Sequence, residues 1–172
     1  MQSPPLTPAP DAVSHHRRGM KRVFFFLIAA LAVETTGLIF ILSGRYPAWL
    51  APYEVGCLCG LTGGVGGLVY CLRGIYLNAC VRNTWAADWL PWYFIRPIVS
   101  LVCGSLSYLL LKAGLLVLDS APRPEGNYLG FYVLAFIAGL NVDKFVTKIE
   151  EVAQTTWGIE KSRASTRDDK AG

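Results

Sequence analysis

Charged residues are scarce in this chain, and they are unevenly distributed. Asp, Glu, Lys and Arg make up 16% of its 172 residues, whereas hydrophobic residues make up 53%. A soluble domain carries about 25% charged residues. Four long stretches contain almost no charge, which excludes an ordinary water-soluble core and makes lipid the expected solvent. The sequence therefore predicts an all-α integral membrane protein.

Residues that carry catalysis or bind metals are also few. The two histidines, His15 and His16, are adjacent in an N-terminal segment. There is no Gly-x-Ser-x-Gly motif and no glycine-rich phosphate loop followed by lysine. The five cysteines are odd in number, and the spacing of Cys57 and Cys59 suits neither a disulfide framework nor a zinc site. We expect no enzymatic activity, no cofactor and no bound metal.

Four apolar runs are candidates for membrane-spanning helices, because a helix needs about 20 residues to cross about 30 Å of hydrocarbon. They cover 23–42, 55–72, 97–118 and 128–146. The fourth is uninterrupted only to residue 142, so it either includes two charged residues at its end or is re-entrant. The pattern predicts a bundle of four transmembrane helices.

The distribution of Lys and Arg predicts the orientation of this bundle. Most of the 16 basic residues fall in the N-terminal tail, in the segment between the second and third runs, or after the fourth run. Only Arg45 and Arg123 fall on the opposite side. Basic residues favour the cytoplasmic side, so both termini are expected there, with the bacterial inner membrane as the location. The positive net charge then favours anionic lipid and not nucleic acid.

The segments outside the runs have distinct compositions. Residues 1–22 begin with a proline-rich stretch and are predicted to be a disordered tail, as is the polar segment 158–172. Segment 73–96 is predicted to be an interfacial loop, since its prolines interrupt helices. It fixes helix depth or, alternatively, binds a partner or lipid. Its candidate anchors are Trp85, Trp89, Trp92, Tyr93 and Arg96.

Residues 142–157 are predicted to form a cytoplasmic amphipathic helix. Apolar residues recur with helical spacing, Lys148 and Glu151 can pair across one turn, and Gly158 suits a helix end. A helix of this length is unstable alone in water, so it must dock. Docking within the chain or in a homo-oligomer is the favoured interpretation, and a cytoplasmic protein partner is the alternative.

Small residues recur every four positions in the second run and again in the third. Lipid provides no hydrophobic drive for helix association, so small residues that allow close backbone approach mark a packing face. Packing within the bundle is favoured, and a subunit contact or a pore lining is the alternative. The residues concerned are Gly56, Gly60, Gly63, Gly64 and Gly67 in the second run, with Ser100 and Gly104 in the third.

Two ionisable residues, Glu34 and Lys112, lie inside predicted spans. Glu34 is eight residues from the end of its run and Lys112 is six from the end of its own, so their depths differ by about 3 Å. A lone charge at this depth is costly, and pairing is the simplest resolution. We therefore predict a contact between Glu34 and Lys112. A proton or ion relay through Glu34 is the alternative.

Two resemblances accompany these patterns. The stretches 92–97 (WYFIRP) and 136–145 (FIAGLNVDKF) resemble small bacterial multi-pass membrane proteins that carry no assigned activity, which implies the same topology. The segment 34–37 (ETTG) is similar to the carboxylate-x-x-glycine of small multidrug resistance transporters, which implies proton exchange at Glu34. In this chain Lys112 would repel the cationic substrates of that family.

Two classes of function follow from the sequence. The first is a non-enzymatic membrane component that associates with itself or anchors a partner. The second is a small channel or proton-coupled transporter that uses Glu34.

Overall fold

The computed structural model describes residues 10–82, 89–114 and 128–159, and the side chains of these residues from Gly19 onward. Five α-helices run in order: α1 (Pro10–Leu42), α2 (Glu54–Tyr76), α3 (Leu90–Lys112), α4 (Leu129–Leu140) and α5 (Val142–Trp157). A 3₁₀ helix (Ala48–Tyr53) leads into α2, and a π-helix (Leu77–Val81) continues it. The described segments contain no β-strand, which confirms the all-α prediction.

Three stretches of the described chain are long and apolar enough to cross a membrane: Gly19–Leu42, Ala48–Val81 and Leu90–Lys112. The last four residues of the predicted third run, 115–118, lie outside the described residues. These three helices are consistent with a membrane protein, as expected from the scarcity of charge.

The fourth run does not form one continuous helix. α4 has 12 residues and is therefore about 18 Å long, which is short of the hydrocarbon thickness. A bend of 111° at Asn141 separates it from α5. The bend falls where the apolar sequence gives way to charged residues, which cannot continue straight into lipid. The prediction of a helix through 128–146 is replaced by two helices, which add a fourth crossing if they form one bent span.

The N-terminal segment also differs from the prediction. α1 begins at Pro10, so residues 10–22 are helical and not a disordered tail. Proline is favoured in the first helical turn, where its missing N–H costs nothing, and no further proline follows it in the helix. Residues 1–9 and 160–172 lie outside the described chain.

The predicted interfacial loop 73–96 is largely helical. α2 and the π-helix together extend to Val81, and α3 begins at Leu90. Pro91 occupies the first turn of α3, and Pro97 lies inside the helix. Prolines are tolerated within membrane-spanning helices because neighbouring groups satisfy the freed carbonyls. The prolines therefore do not break this segment as predicted.

α2 lies at the centre of the bundle because its glycines allow other helices to approach its backbone. A methyl group added at Gly63 would stand 2.6 Å from the Cα of Gly104 in α3. One added at Gly139 in α4 would overlap the carbonyl of Gly63. Such close contact over small residues is the usual packing mode in lipid. The Ser100 hydroxyl adds a hydrogen bond of 3.0 Å to the Gly139 carbonyl.

α1 and α5 attach at the edges of this core. Val23 and Leu27 of α1 are fully buried against a cluster that includes Leu68, Cys71 and Tyr93. Val142 and Phe145 of α5 pack with Cys103 of α3 and Ala138 of α4. The first turns of α5 therefore dock within the chain.

The end of α5 contains two features that the sequence predicts. Lys148 and Glu151 form an ion pair with an N–O distance of 3.0 Å. Gly158 follows the helix with a φ of +69°, a conformation that glycine adopts without steric cost, and its N–H donates to the Gln154 carbonyl.

We expect Gly63→Ala to destabilise the bundle by about 1–3 kcal/mol, because the added methyl has only backbone to meet. Gly74→Ala on the same helix is the matched control, since its methyl would meet the Tyr93 ring and hydroxyl at an ordinary 3.4 Å or more. Thermal unfolding of both variants in detergent micelles measures the difference. Equal stability of the two variants would contradict the proposed packing.

Candidate functional site

Glu34 lies on α1 where that helix meets α2. Its carboxylate occupies the notch left by Gly64, since a methyl added there would overlap the carboxylate oxygens. The side chain is half-buried, and its Oε2 atom is buried with no hydrogen-bond partner. One turn further along, the Leu61 side chain covers Gly37. The site is therefore a carboxyl group held between two helices with unused hydrogen-bonding capacity.

Lys112 does not reach this carboxyl group. It is exposed at the end of α3, where its Nζ donates a 3.4 Å hydrogen bond to the Tyr108 hydroxyl and lies 5.7 Å from the centre of that ring. The predicted Glu34–Lys112 pair is therefore not formed. Glu34 meets α2 at Gly64, whereas Lys112 bonds to Tyr108, whose ring lies against Gly56, eight residues or about 12 Å away along α2. The two residues therefore do not share the depth that was predicted from their positions in the apolar runs.

The chemistry open to Glu34 follows from this isolation. An unpaired carboxylate withdrawn from water is costly, so such a group takes up a proton or gains a polar partner. Glu34 lies eight residues before Leu42, about 12 Å from that end of α1. It is therefore well inside the predicted hydrocarbon layer.

A second charged cluster surrounds Arg96 near the start of α3. Arg96 is only 5% exposed, and its Nη1 donates hydrogen bonds of 2.9 and 3.2 Å to the two carboxylate oxygens of Asp143. Its guanidinium lies 4.8 Å from the ring centre of Tyr70 and 5.4 Å from that of Trp92. Aromatic faces attract a guanidinium in this way. The cluster joins α2 and α3 to the bend between α4 and α5.

The environment of Arg96 differs from the prediction that it is an interfacial anchor. Its Nε and Nη2 atoms are buried without a hydrogen-bond partner, and the Asp143 side chain is 79% exposed. The charged guanidinium group therefore lies inside the bundle and not at the membrane surface. Of the other predicted anchors, Tyr93 is buried, Trp92 is half-buried and Trp89 is exposed. Trp85 lies outside the described residues.

Sequence reasoning missed Asp143 as the partner of Arg96. A signal was available, because Arg96 directly precedes the third apolar run and Asp143 directly follows the apolar part of the fourth. Helices that cross in opposite directions bring two such ends to the same face of the membrane. The same comparison of depths that suggested Glu34 and Lys112 would have suggested this pair.

The small residues predicted to form a packing face lie in contacts with three different helices. A methyl at Gly56 would contact the Tyr108 ring of α3, and one at Gly60 would meet the Ser105 hydroxyl of α3. Gly67 meets the Ser100 side chain. Gly66, which the sequence reasoning did not single out, meets the Phe136 carbonyl of α4.

The remaining polar groups of the described chain offer no second candidate site. The Tyr46 hydroxyl donates to the Glu54 carboxylate, and this hydrogen bond raises the pKa of the tyrosine and ties the connection after α1 to the start of α2. No group of three or more His, Cys, Asp or Glu side chains comes together in the described segments. A metal ion would find no ready ligand set there.

We expect Asp143→Asn to lower the free energy of unfolding by about 1 kcal/mol, because the exposed carboxylate is screened by solvent. Arg96→Ala should cost about 2 kcal/mol or more, since it also removes the contacts with the Tyr70 and Trp92 rings. Lys148→Ala is the matched control, because its ion pair is exposed on both sides. Unfolding in micelles measures all three, and a loss for Asp143→Asn no larger than the control's would argue against the cluster.

Comparison with known proteins finds no matching family model, no matching curated protein and no matching solved structure. The function must therefore be inferred from the site itself.

Proposed function

We propose that this protein is a non-enzymatic multi-pass membrane component that associates with copies of itself through α1, with Glu34 in the contact. The observation that carries this proposal is the buried, unpartnered Oε2 atom of Glu34. The Glu34 side chain as a whole is only half-buried, so it can turn out of the notch and meet a polar group of a second copy there. Polar side chains are known to promote helix association in lipid.

The packing of α1 supports this choice of surface. Only 11% of its candidate span is buried within the chain, against 50% for the span that contains α2. Val33, next to Glu34, is 71% exposed. One side of α1 is therefore held by α2, and the rest of its surface is available to lipid or to another copy.

The proposed topology places both termini in the cytoplasm of a bacterial cell, with the chain in the inner membrane. It requires an even number of crossings, so α4 and the start of α5 must act as one bent span. Three contacts support that path. The ring of Phe131 lies 6.0 Å from that of Tyr108, Gly139 lies beside Ser100, and Asp143 reaches Arg96. The segment from Phe131 to Asp143 thus runs antiparallel to α3, from its C-terminal end toward its N-terminal end.

The same observation favours a second candidate function, proton or ion transport. A lysine paired with Glu34 would hold the carboxylate ionised and oppose proton release and uptake, but Lys112 lies instead against Tyr108. An unpaired intramembrane carboxyl group can load and release protons. A pathway to both surfaces would be needed in addition.

We expect Glu34→Leu to weaken self-association about three- to thirtyfold, the range for one hydrogen bond between helices in lipid. Glu34→Gln should retain association, because its amide still donates and accepts hydrogen bonds. Single-molecule photobleaching of labelled protein in liposomes of increasing lipid-to-protein ratio measures the association. Lys112→Gln is the control for removing a charge elsewhere. A monomeric wild type at every ratio would overturn the proposal.

Proton flux into the same liposomes separates the two candidates. Under the association proposal, wild type and Glu34→Gln both leave the basal flux unchanged. A flux in wild type that Glu34→Gln abolishes, while association persists, would favour transport, because glutamine retains the hydrogen bonds but cannot carry the proton.

A further inference from the structure

A groove opens between the first part of α1 and the far end of α2. Its volume is about 300 Å³, and its walls are almost entirely apolar. It lies beside the cluster in which Val23 and Leu27 pack against Ile75. The side chains that matter for its shape and charge are Met20, Lys21, Phe24, Ile75, Ala79 and Cys80.

The π-helix gives the groove its width. The N–H of Arg82 donates to the carbonyl of Leu77 at 2.8 Å, a bond that spans five residues and widens the turn. Ala79 and Cys80 in this turn are small, so no side chain fills the space that the wider turn creates. Phe24 is 44% exposed at the side of the groove, so the groove opens laterally toward the expected lipid.

The charged side chains in the described segments that line the groove are all basic. Lys21 forms part of the wall and is exposed, as are Arg22, Arg73 and Arg82 nearby in the chain. Segments 20–22 and 72–82, which supply most of the lining, contain no Asp or Glu. An anionic group near the groove would therefore meet only positive charge from these segments.

We propose that this groove binds an anionic phospholipid, with an acyl chain in the apolar channel and the phosphate beside Lys21. An acyl chain matches an apolar groove that opens sideways to hydrocarbon, and a basic residue at the same end attracts an anionic headgroup. The site is separate from the proposed association surface, because Glu34 lies thirteen residues from Lys21 along α1, about 20 Å away.

Native mass spectrometry of the full-length protein in mild detergent tests the headgroup. The probes are phosphatidylglycerol and phosphatidylcholine with identical acyl chains. We expect wild type to bind phosphatidylglycerol about fivefold more tightly, the effect of one basic residue near an anionic surface. Lys21→Gln should reduce this preference to near one, whereas Lys112→Gln, an exposed cation at the other end of the bundle, should retain it. Equal binding of the two lipids to wild type, or equal loss in both variants, would overturn the proposal.

A steric variant tests the acyl-chain channel. Ala79→Phe should fill the groove and remove binding of both lipids, with circular dichroism and thermal unfolding used to verify the fold. Cys80→Phe serves the same purpose at an exposed position, where a larger side chain has room to be accommodated. Unchanged phosphatidylglycerol binding in a folded variant of either kind would overturn the proposal.

Discussion

The middle of α2 meets its neighbours backbone to backbone, and the positions of the other helices depend on this contact. Gly63 touches Gly104 of α3 and Gly139 of α4 at the same level. With α3 and α4 fixed on one helix, the Ser100 hydroxyl reaches the Gly139 carbonyl. Moving four residues back on α3 and four forward on α4–α5 leads to Arg96 and Asp143. The ion pair is therefore in register with the Ser100–Gly139 hydrogen bond, four residues from it on each segment.

α1 packs against the bundle through side chains, whereas the other membrane helices meet backbone to backbone. α2, α3 and α4 share the glycine contacts, whereas α1 joins mainly through the Val23 and Leu27 cluster and through the Glu34 side chain in the notch at Gly64. In lipid, apolar surface alone does not hold a helix against its neighbours, because acyl chains are equally apolar. The position of α1 is thus set by contacts along one side only, and the proposed partners of its other side are another copy of the chain and a bound lipid.

The sequence predicts helix type and approximate span more reliably than it predicts which faces meet. Length and charge exclusion identified the helical spans, and the four-residue spacing identified most small residues that lie in contacts. The spacing could not show that Gly64 faces α1 while Gly63 faces α3 and α4, because one residue turns the contact by about 100° around the helix. The prediction for Glu34 and Lys112 fails for another reason, because counting residues from the end of an apolar run does not show how two helices are offset along their axes. Glu34 meets Gly64, whereas Lys112 lies with Tyr108 near Gly56.

The ends of the helices were predicted wrongly for a different reason. Pro91 falls in the first turn of α3, where proline is tolerated in any solvent. Pro97 lies inside the helix, where in water a freed carbonyl and a steric clash carry a penalty, but inside a bundle neighbouring groups compensate and α3 continues through it. The change from apolar to charged residues at Asn141 marks the end of the fourth run, but the angle of the bend was hidden because it depends on where α5 docks.

The shortness of α4 has a consequence for the membrane around it. Its length of about 18 Å leaves about 12 Å of a typical hydrocarbon layer without a straight helix beneath it. The bilayer next to such a short segment becomes thinner to match it, at a cost of a fraction of a kcal/mol for each ångström of mismatch. Asp143 and Lys144, which follow the bend, would then meet water without leaving the level of Arg96. The three longer helices match a full hydrocarbon layer, so the bilayer would be thinned on the α4 side of the protein only.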